Sequence, residues 1–229
     1  MLGDGYCIET QRAYLVRQRS KPLNKYSIQR KCNTIKLKPQ NTYRHLLNFV
    51  GDASRPVLAA FHITKEGHIE ATNSHILLRL LNRVQPEHEL ILHPKELREI
   101  EGTYPDTARL FPDNCQSTWL LTGDEAAKIS KFLKGLDKNA TAILTADDKK
   151  LKIESDEASA SFKLFDFPTG DYNGIELFVN STYLKYITDF IADCSAAPVQ
   201  LCIPKKTLAP IVFKVEEQFE GLIAQIRTK

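Results

Sequence analysis

Residues 54–77 read Ser54-Arg55-Pro56-Val57-Leu58, then Phe61-His62-Ile63, Lys65-Glu66-Gly67, and Glu70-Ala71-Thr72-Asn73-Ser74-His75-Ile76-Leu77. Apolar residues alternate over 58–63 and 67–72, which marks two strands, and Lys65-Glu66-Gly67 is the turn between them. A second phrase follows at Tyr104-Pro105-Asp106 and closes with Arg109-Leu110-Phe111-Pro112.

Outward from this hairpin, one pattern recurs. An apolar strand ends in a turn or cap residue, and a helix with Leu or Ile on one face follows. Residues 89–100, with Leu90-Ile91-Leu92 before Pro94, can be laid on residues 176–187, with Leu177-Phe178-Val179 before Asn180. Ile35 to Pro39 leading into Tyr43, Leu46 and Leu47 is a third case, and Trp119 to Thr122 leading into Ala126, Ile129 and Leu133 is a fourth. Asn180 and Thr122 are expected N-caps, and Pro94 suits a first helical position. Further strands are expected at 141–145, 150–154, 159–165, 198–203, 211–214 and 221–227, with Asp147-Asp148 as a hairpin turn.

These units predict an α+β fold of repeated strand-helix-strands units, with helices on one face of antiparallel sheets. They divide into residues 34–113 and residues 114–229, meeting near Pro112, behind an arm or set of accessory strands at 1–33. The interval after the second helix leaves almost no room for strands. Either that domain is shortened or residues 1–33 fold back to complete it.

The bulk composition is that of a globular protein, with 42% hydrophobic and 26% charged residues. No apolar run approaches the roughly 18 residues of a membrane span, and no apolar stretch marks a secretory signal. The five cysteines (Cys7, Cys32, Cys115, Cys194 and Cys202) are scattered and form no C-x-x-C pair. That pattern fits reduced thiols in the cytoplasm better than a disulfide scaffold or a zinc site. The net charge of +3 is uneven. Residues 1–40 hold nine Lys and Arg against Asp4 and Glu9, so the rest of the chain is net acidic. A basic arm on an acidic body points to a polyanion partner or to a solvated tail.

Signatures of catalysis are missing. The six histidines make no H-E-x-x-H pair, and there is no G-x-S-x-G, P-loop or G-x-G-x-x-G. No catalytic residue, metal site or cofactor is expected. A DNA-processing enzyme with carboxylate metal ligands dispersed along the chain is the enzymatic alternative.

The two phrases together resemble the middle domain of the bacterial DNA polymerase III beta sliding clamp. There an R-P-V-L strand leads through a hairpin to A-T-D-G-H-R-L, and F-P-D-Y-R-R-V-x-P follows. The resemblance extends over about residues 40–227 and identifies the chain as a compact, divergent, two-domain member of phage or mobile-element type. It implies a non-enzymatic ring that encircles double-stranded DNA as a processivity factor. Six domains close a known ring, so three copies of a two-domain chain are implied. The alternative it leaves is a monomeric DNA-binding adaptor of the same fold.

Clamp helices face the hole. The segment from Asp124 to Asp137 is amphipathic, with Ala126, Ile129, Leu133 and Leu136 as its buried stripe. By resemblance, Lys128, Lys131 and Lys138 on its other side face DNA, and Arg44, Lys95, Arg98 and Lys185 hold comparable places on the other helices. Such cations neutralise phosphates without reading bases, which suits sliding. Clamps also hold polymerase and clamp loader through short peptides whose apolar side chains enter a pocket between domains. Motif by motif, that pocket carries over to Thr72, Ser74, His75, Ile76 and Leu77, to Pro105 and Leu110, and to Leu222 and Ala224. Asn73-Ser74 stands for Asp-Gly, which reduces backbone freedom in the turn. Ile76 stands for an Arg, which is expected to make the groove more apolar.

Overall fold

A computed structural model describes residues 39–112, 115–147, 149–172, 174–194, 197–204 and 208–227. The chain enters through helix α1 (Pro39–Leu47) and a hairpin, β1 (Phe61–Ile63) and β2 (Ile69–Thr72), then β3 (Ile76–Leu80) and β4 (Leu90–Leu92). A 3-10 turn at Ala108–Leu110 precedes two strand-helix-strands units. The first is β5 (Ser117–Leu121), α2 (Gly123–Leu133), β6 (Thr141–Asp147), β7 (Lys150–Glu154) and β8 (Ser159–Lys163). After the short β9 (Thr169–Gly170), the second is β10 (Leu177–Asn180), α3 (Ser181–Cys194), β11 (Val199–Ile203), β12 (Ile211–Val215) and β13 (Phe219–Ile223).

The strands make two antiparallel sheets. One has nine strands in the order β4-β1-β2-β3-β13-β12-β11-β5-β9, and the other has four in the order β10-β6-β7-β8. The long sheet joins the early strands to the late ones where β3 pairs with β13, with Leu77 opposite Leu222. The helices pack on one face, and the main core lies between: Trp119, Phe213 and Phe219 from the sheet meet Ile129, Ile187 and Phe190 from the helices. Strand alternation sends Ile76, Leu78 and Leu80 into this core, and turns Leu77 and Arg79 to the other face.

Local chemistry accounts for the elements. Thr122 caps α2 by accepting from the Glu125 amide at 3.3 Å, and Asn180 accepts from the Tyr183 amide at 3.1 Å. Gly67 turns the β1–β2 hairpin at φ +84°, where a Cβ would stand 2.0 Å from the Val84 carbonyl oxygen. Gly221 lets β13 pass under the Phe213 ring, which a Cβ would meet at 2.2 Å. Asp147 ends β6 opposite Lys150, so the expected hairpin is present, although Asp148 lies outside the described residues.

Two expectations are corrected. The helix after Pro94 does not form. The His93 carbonyl accepts from the Leu97 amide at 2.9 Å and the His93 amide donates to the Arg98 carbonyl at 2.8 Å, so the chain turns back and Leu92 pairs with Glu99. A short helix is stabilised mainly by burying an apolar face, and here Leu97 stays 67% exposed at φ +51°. Nor are the cysteines all reduced. Cys115 and Cys202, 87 residues apart, are joined as a disulfide, because the pairing of β5 with β11 brings their Cα atoms to 5.3 Å. Linear spacing gave no sign of this. Residues 1–33, invoked as possible accessory strands, lie outside the described residues. The strand β3 is not among the expected ones, because its run Ile76-Leu77-Leu78-Arg79-Leu80 is buried on both faces and does not alternate.

Candidate partner groove and helix face

The turn between β2 and β3 is built from its own side chains. Asn73 Oδ1 accepts from the amides of His75 and Ile76, at 2.9 and 3.0 Å. Thr72 Oγ1 donates to the Ile76 carbonyl at 2.7 Å and accepts from the Ser74 amide at 3.1 Å. Ser74 sits at φ +80°, the left-handed region that favours glycine, and Arg55 donates to its hydroxyl at 2.8 Å. The exposed His75 ring stacks on Tyr183 in the first turn of α3, centroids 5.7 Å apart, and its carbonyl accepts from the Ala224 amide at 2.8 Å. Thr72, Ser74, His75, Leu77, Leu222 and Ala224 therefore meet at the β3–β13 seam.

Ile76 is placed otherwise. It is fully buried in the main core, so its apolar surface goes to the helix side of the sheet. On the opposite face Leu77, Leu222, Val212 and Cys202 form a small apolar cluster, and Phe111 packs on it. Pro105 and Leu110 lie in the segment that crosses this face, but both are exposed, Leu110 by 47%. Phe111, one residue beyond the carried-over leucine, occupies the seat.

A buried polar latch holds that segment. Arg79 donates to both Glu70 and Glu220, and to Thr107 Oγ1 at 2.7 Å, while the Thr107 hydroxyl donates to Glu70 at 2.8 Å. The guanidinium also lies 4.8 Å from the centroid of Phe111. His62 bridges Glu70 at 3.1 Å and Glu89 at 2.7 Å, and stacks on Tyr104 at 4.4 Å. Burial pushes the Glu70 carboxyl upward, but the hydrogen bonds from His62, Thr107 and Arg79 and the Arg79 charge outweigh it, so its pKa lies below the ordinary value. Burial alone would lower His62, but its hydrogen bonds to Glu70 and Glu89 raise it. Sequence reasoning missed the latch. Glu70 and Arg79 are charged residues within strands otherwise buried, which is the signal that would have found them.

The basic residues assigned to the helix face divide into two sets. Arg44 pairs with Asp193 at 2.9 Å, Lys185 with Asp189 at 2.6 Å, Lys128 with Glu125, and Arg98 with Glu96. Lys95, Lys131 and Lys138 are exposed and have no ion pair among the described residues. Lys95 and Arg98 stand on the turn after β4, and Lys138 lies beyond the end of α2. A cleft of about 320 Å³ opens between the three helices, bordered by Arg44, His45, Ser130, Asp189 and Asp193. Ser130 donates to Asp189 while His45 pairs with Asp193 at 2.8 Å, so serine and histidine engage different carboxylates and form no triad. Among the described residues no group of three or more His, Cys, Asp or Glu is arranged to hold a metal. No described helix is long and apolar enough to cross a membrane.

No protein-family model matches the sequence, and no curated protein does. Solved structures do match. The DNA polymerase sliding clamp from Bacillus subtilis is similar with a TM-score of 0.69 at 17% identity, over 83% of this chain and 62% of that one. The beta subunit of DNA polymerase from Streptococcus pyogenes gives 0.64 at 16% identity, over 92% and 69%. The Helicobacter pylori beta clamp, solved bound to a DNA ligase peptide, gives 0.64 at 16% identity, over 82% and 62%. The chain thus has the α+β fold of the bacterial beta sliding clamps, at 16–17% identity to these three. It spans about two thirds or less of the length of these structures.

Proposed function

We propose that this protein is a compact sliding clamp, a processivity factor that encircles duplex DNA and tethers replication proteins by short apolar peptides. The observation that carries the reading is the convergence at the β3–β13 seam of the Thr72–Leu77 turn, the Tyr104–Phe111 segment and the last strand. The Helicobacter pylori clamp of the same fold binds a DNA ligase peptide, and polymerase and loader peptides are the ligands proposed here. In this reading residues 34–113 are a shortened clamp-like domain, residues 114–229 a second one, and residues 1–33 a basic arm. Three chains close the ring, no reaction is catalysed, and the protein acts in the cytoplasm.

Duplex DNA is contacted mainly by Lys131, Lys138 and Lys95. Arg44, Arg98, Lys128 and Lys185 contribute less, because each already has a carboxylate beside it. Those four ion pairs also support a second reading, a monomeric clamp-fold adaptor that binds DNA through its arm. The test of the groove is a fluorescein-labelled hexapeptide with leucine third and phenylalanine fifth, titrated by anisotropy. Binding is expected for the parent and lost in His75→Glu, an exposed position, at unchanged melting temperature. Equal binding by both proteins would remove the groove from the turn.

A further inference from the structure

Phe111 packs on the apolar cluster of Leu77, Cys202, Val212 and Leu222, and one member of that cluster is itself half of the Cys115–Cys202 disulfide. Cys115 follows Phe111 by four residues. The ring is therefore held from two sides. Upstream, the Arg79 latch ties down Thr107 and places a guanidinium against Phe111. Downstream, the disulfide fixes Cys115 to the strand that lies under the ring. The cluster is the apolar floor at which the pocket residues Leu77 and Leu222 meet, and Leu110, the carried-over wall residue, is exposed beside it.

We propose that this floor is an aromatic-accepting seat that the chain's own Phe111 fills, and that the Cys115–Cys202 disulfide controls whether a partner peptide can take its place. The proposal rests on the groove reading above and adds its regulation. The oxidised form is closed and the dithiol form is open. Opening is a thiol–disulfide exchange. Cys115 is exposed and Cys202 buried, so an external thiolate attacks the Cys115 sulfur and Cys202 leaves as a thiolate and takes up a proton. The second thiol of a dithiol reductant then displaces Cys115 from the mixed disulfide. The protein gains two thiols and the reductant becomes a cyclic disulfide, so two electrons and two protons are transferred. With Cys115 freed, the downstream restraint on Phe111 is lost, and an incoming leucine or phenylalanine displaces it from the apolar seat. A reducing cytoplasm keeps the groove available, and oxidation withdraws it.

Two readouts separate this inference from the groove reading. The first needs no peptide: hydrogen exchange of the full chain, followed by mass spectrometry, at the Leu110 and Phe111 amides with and without dithiothreitol. Faster exchange on reduction is expected, and unchanged exchange would overturn the control by the disulfide, whatever binds. The second is the labelled hexapeptide. If the closed state holds all but a tenth of the molecules, the reduced parent and Cys115→Ser should each bind about tenfold more tightly than the oxidised parent. Phe111→Ala should bind as tightly whether oxidised or reduced, since the plug is gone. Equal affinity of oxidised parent, reduced parent and Cys115→Ser overturns the proposal and leaves the groove standing. Faster exchange on reduction with no peptide bound by any form keeps the release of Phe111 and removes the groove.

Discussion

The two halves of the long sheet are held by different physics. In residues 115–227 the strands are backed by α2 and α3, and the contact is apolar: Ile129, Leu133, Ile187 and Phe190 against Trp119, Phe213 and the strands around them. In residues 39–112 the one helix among the described residues is α1, and the chain after Pro94 makes a tight return where a second helix is expected. There the connecting segment is fastened to the outer face by Glu70, Arg79, Thr107 and Glu220, with His62 behind them. On this outer face, away from the helices, a buried charged network fixes the connecting segment. That fixing is specific but conditional, because each charge depends on its partner. The residues of the proposed groove sit where the two kinds of packing meet.

The buried charged network depends most on Arg79. Arg79→Ala takes the guanidinium from Glu70, whose side chain is 1% exposed, and should cost about 3–5 kcal/mol in urea unfolding. Ile129→Ala, fully inside the apolar half, should cost about 2–5 kcal/mol by cavity formation. The two losses differ in kind: the first shrinks as the medium is acidified and Glu70 is neutralised, while the second does not change with pH. A pH-independent Arg79→Ala loss would show that the latch acts by packing alone.

The latch also sets a pH window. Glu70 titrates below its ordinary 4.5 in the folded state, so its contribution is present above 4.5 and is lost as pH falls through the folded value. His62 titrates above its ordinary 6.5, so its contribution is complete below 6.5 and is lost as pH rises through the folded value. Melting temperature followed against pH should therefore be highest between these limits, and His62→Gln should abolish the decline on the alkaline side. If the decline persists in that variant, another group is responsible.

Smaller effects are expected at single capping and turn residues. Thr122→Ala removes the cap of α2 and should lower stability by about 1 kcal/mol in the same unfolding assay, with Thr122→Ser close to neutral. Ser74→Gly relieves the left-handed turn residue and should gain about 1 kcal/mol, less what the Arg55 hydrogen bond contributes. A loss on Ser74→Gly would mean that the hydroxyl, not the backbone, fixes the turn.

Much of this was legible in the chain because periodicity and caps are local signals. The strands expected at 141–145 and 150–154, the helix after Thr122 and the helix after Asn180 follow from alternation, from stripes at helical spacing and from single capping side chains. What was not legible depends on partners remote in sequence. Leu97 reads as the face of a helix until the fold offers it nothing to pack against. Cys115 and Cys202 read as isolated thiols until β5 and β11 pair. Ile76 reads as groove surface until strand parity turns it into the core, and Phe111 reads as the residue after the wall until the latch swings it onto Leu77 and Leu222. The turn motif itself was recognisable residue by residue, yet the face that each of its side chains occupies was decided by the β3–β13 register.

The mass of the protein in solution decides whether the chain closes the proposed ring. Light scattering behind size exclusion, over micromolar concentrations and in both oxidising and reducing buffer, should give three chains per particle. A single chain per particle across the whole range would contradict the ring and leave the adaptor.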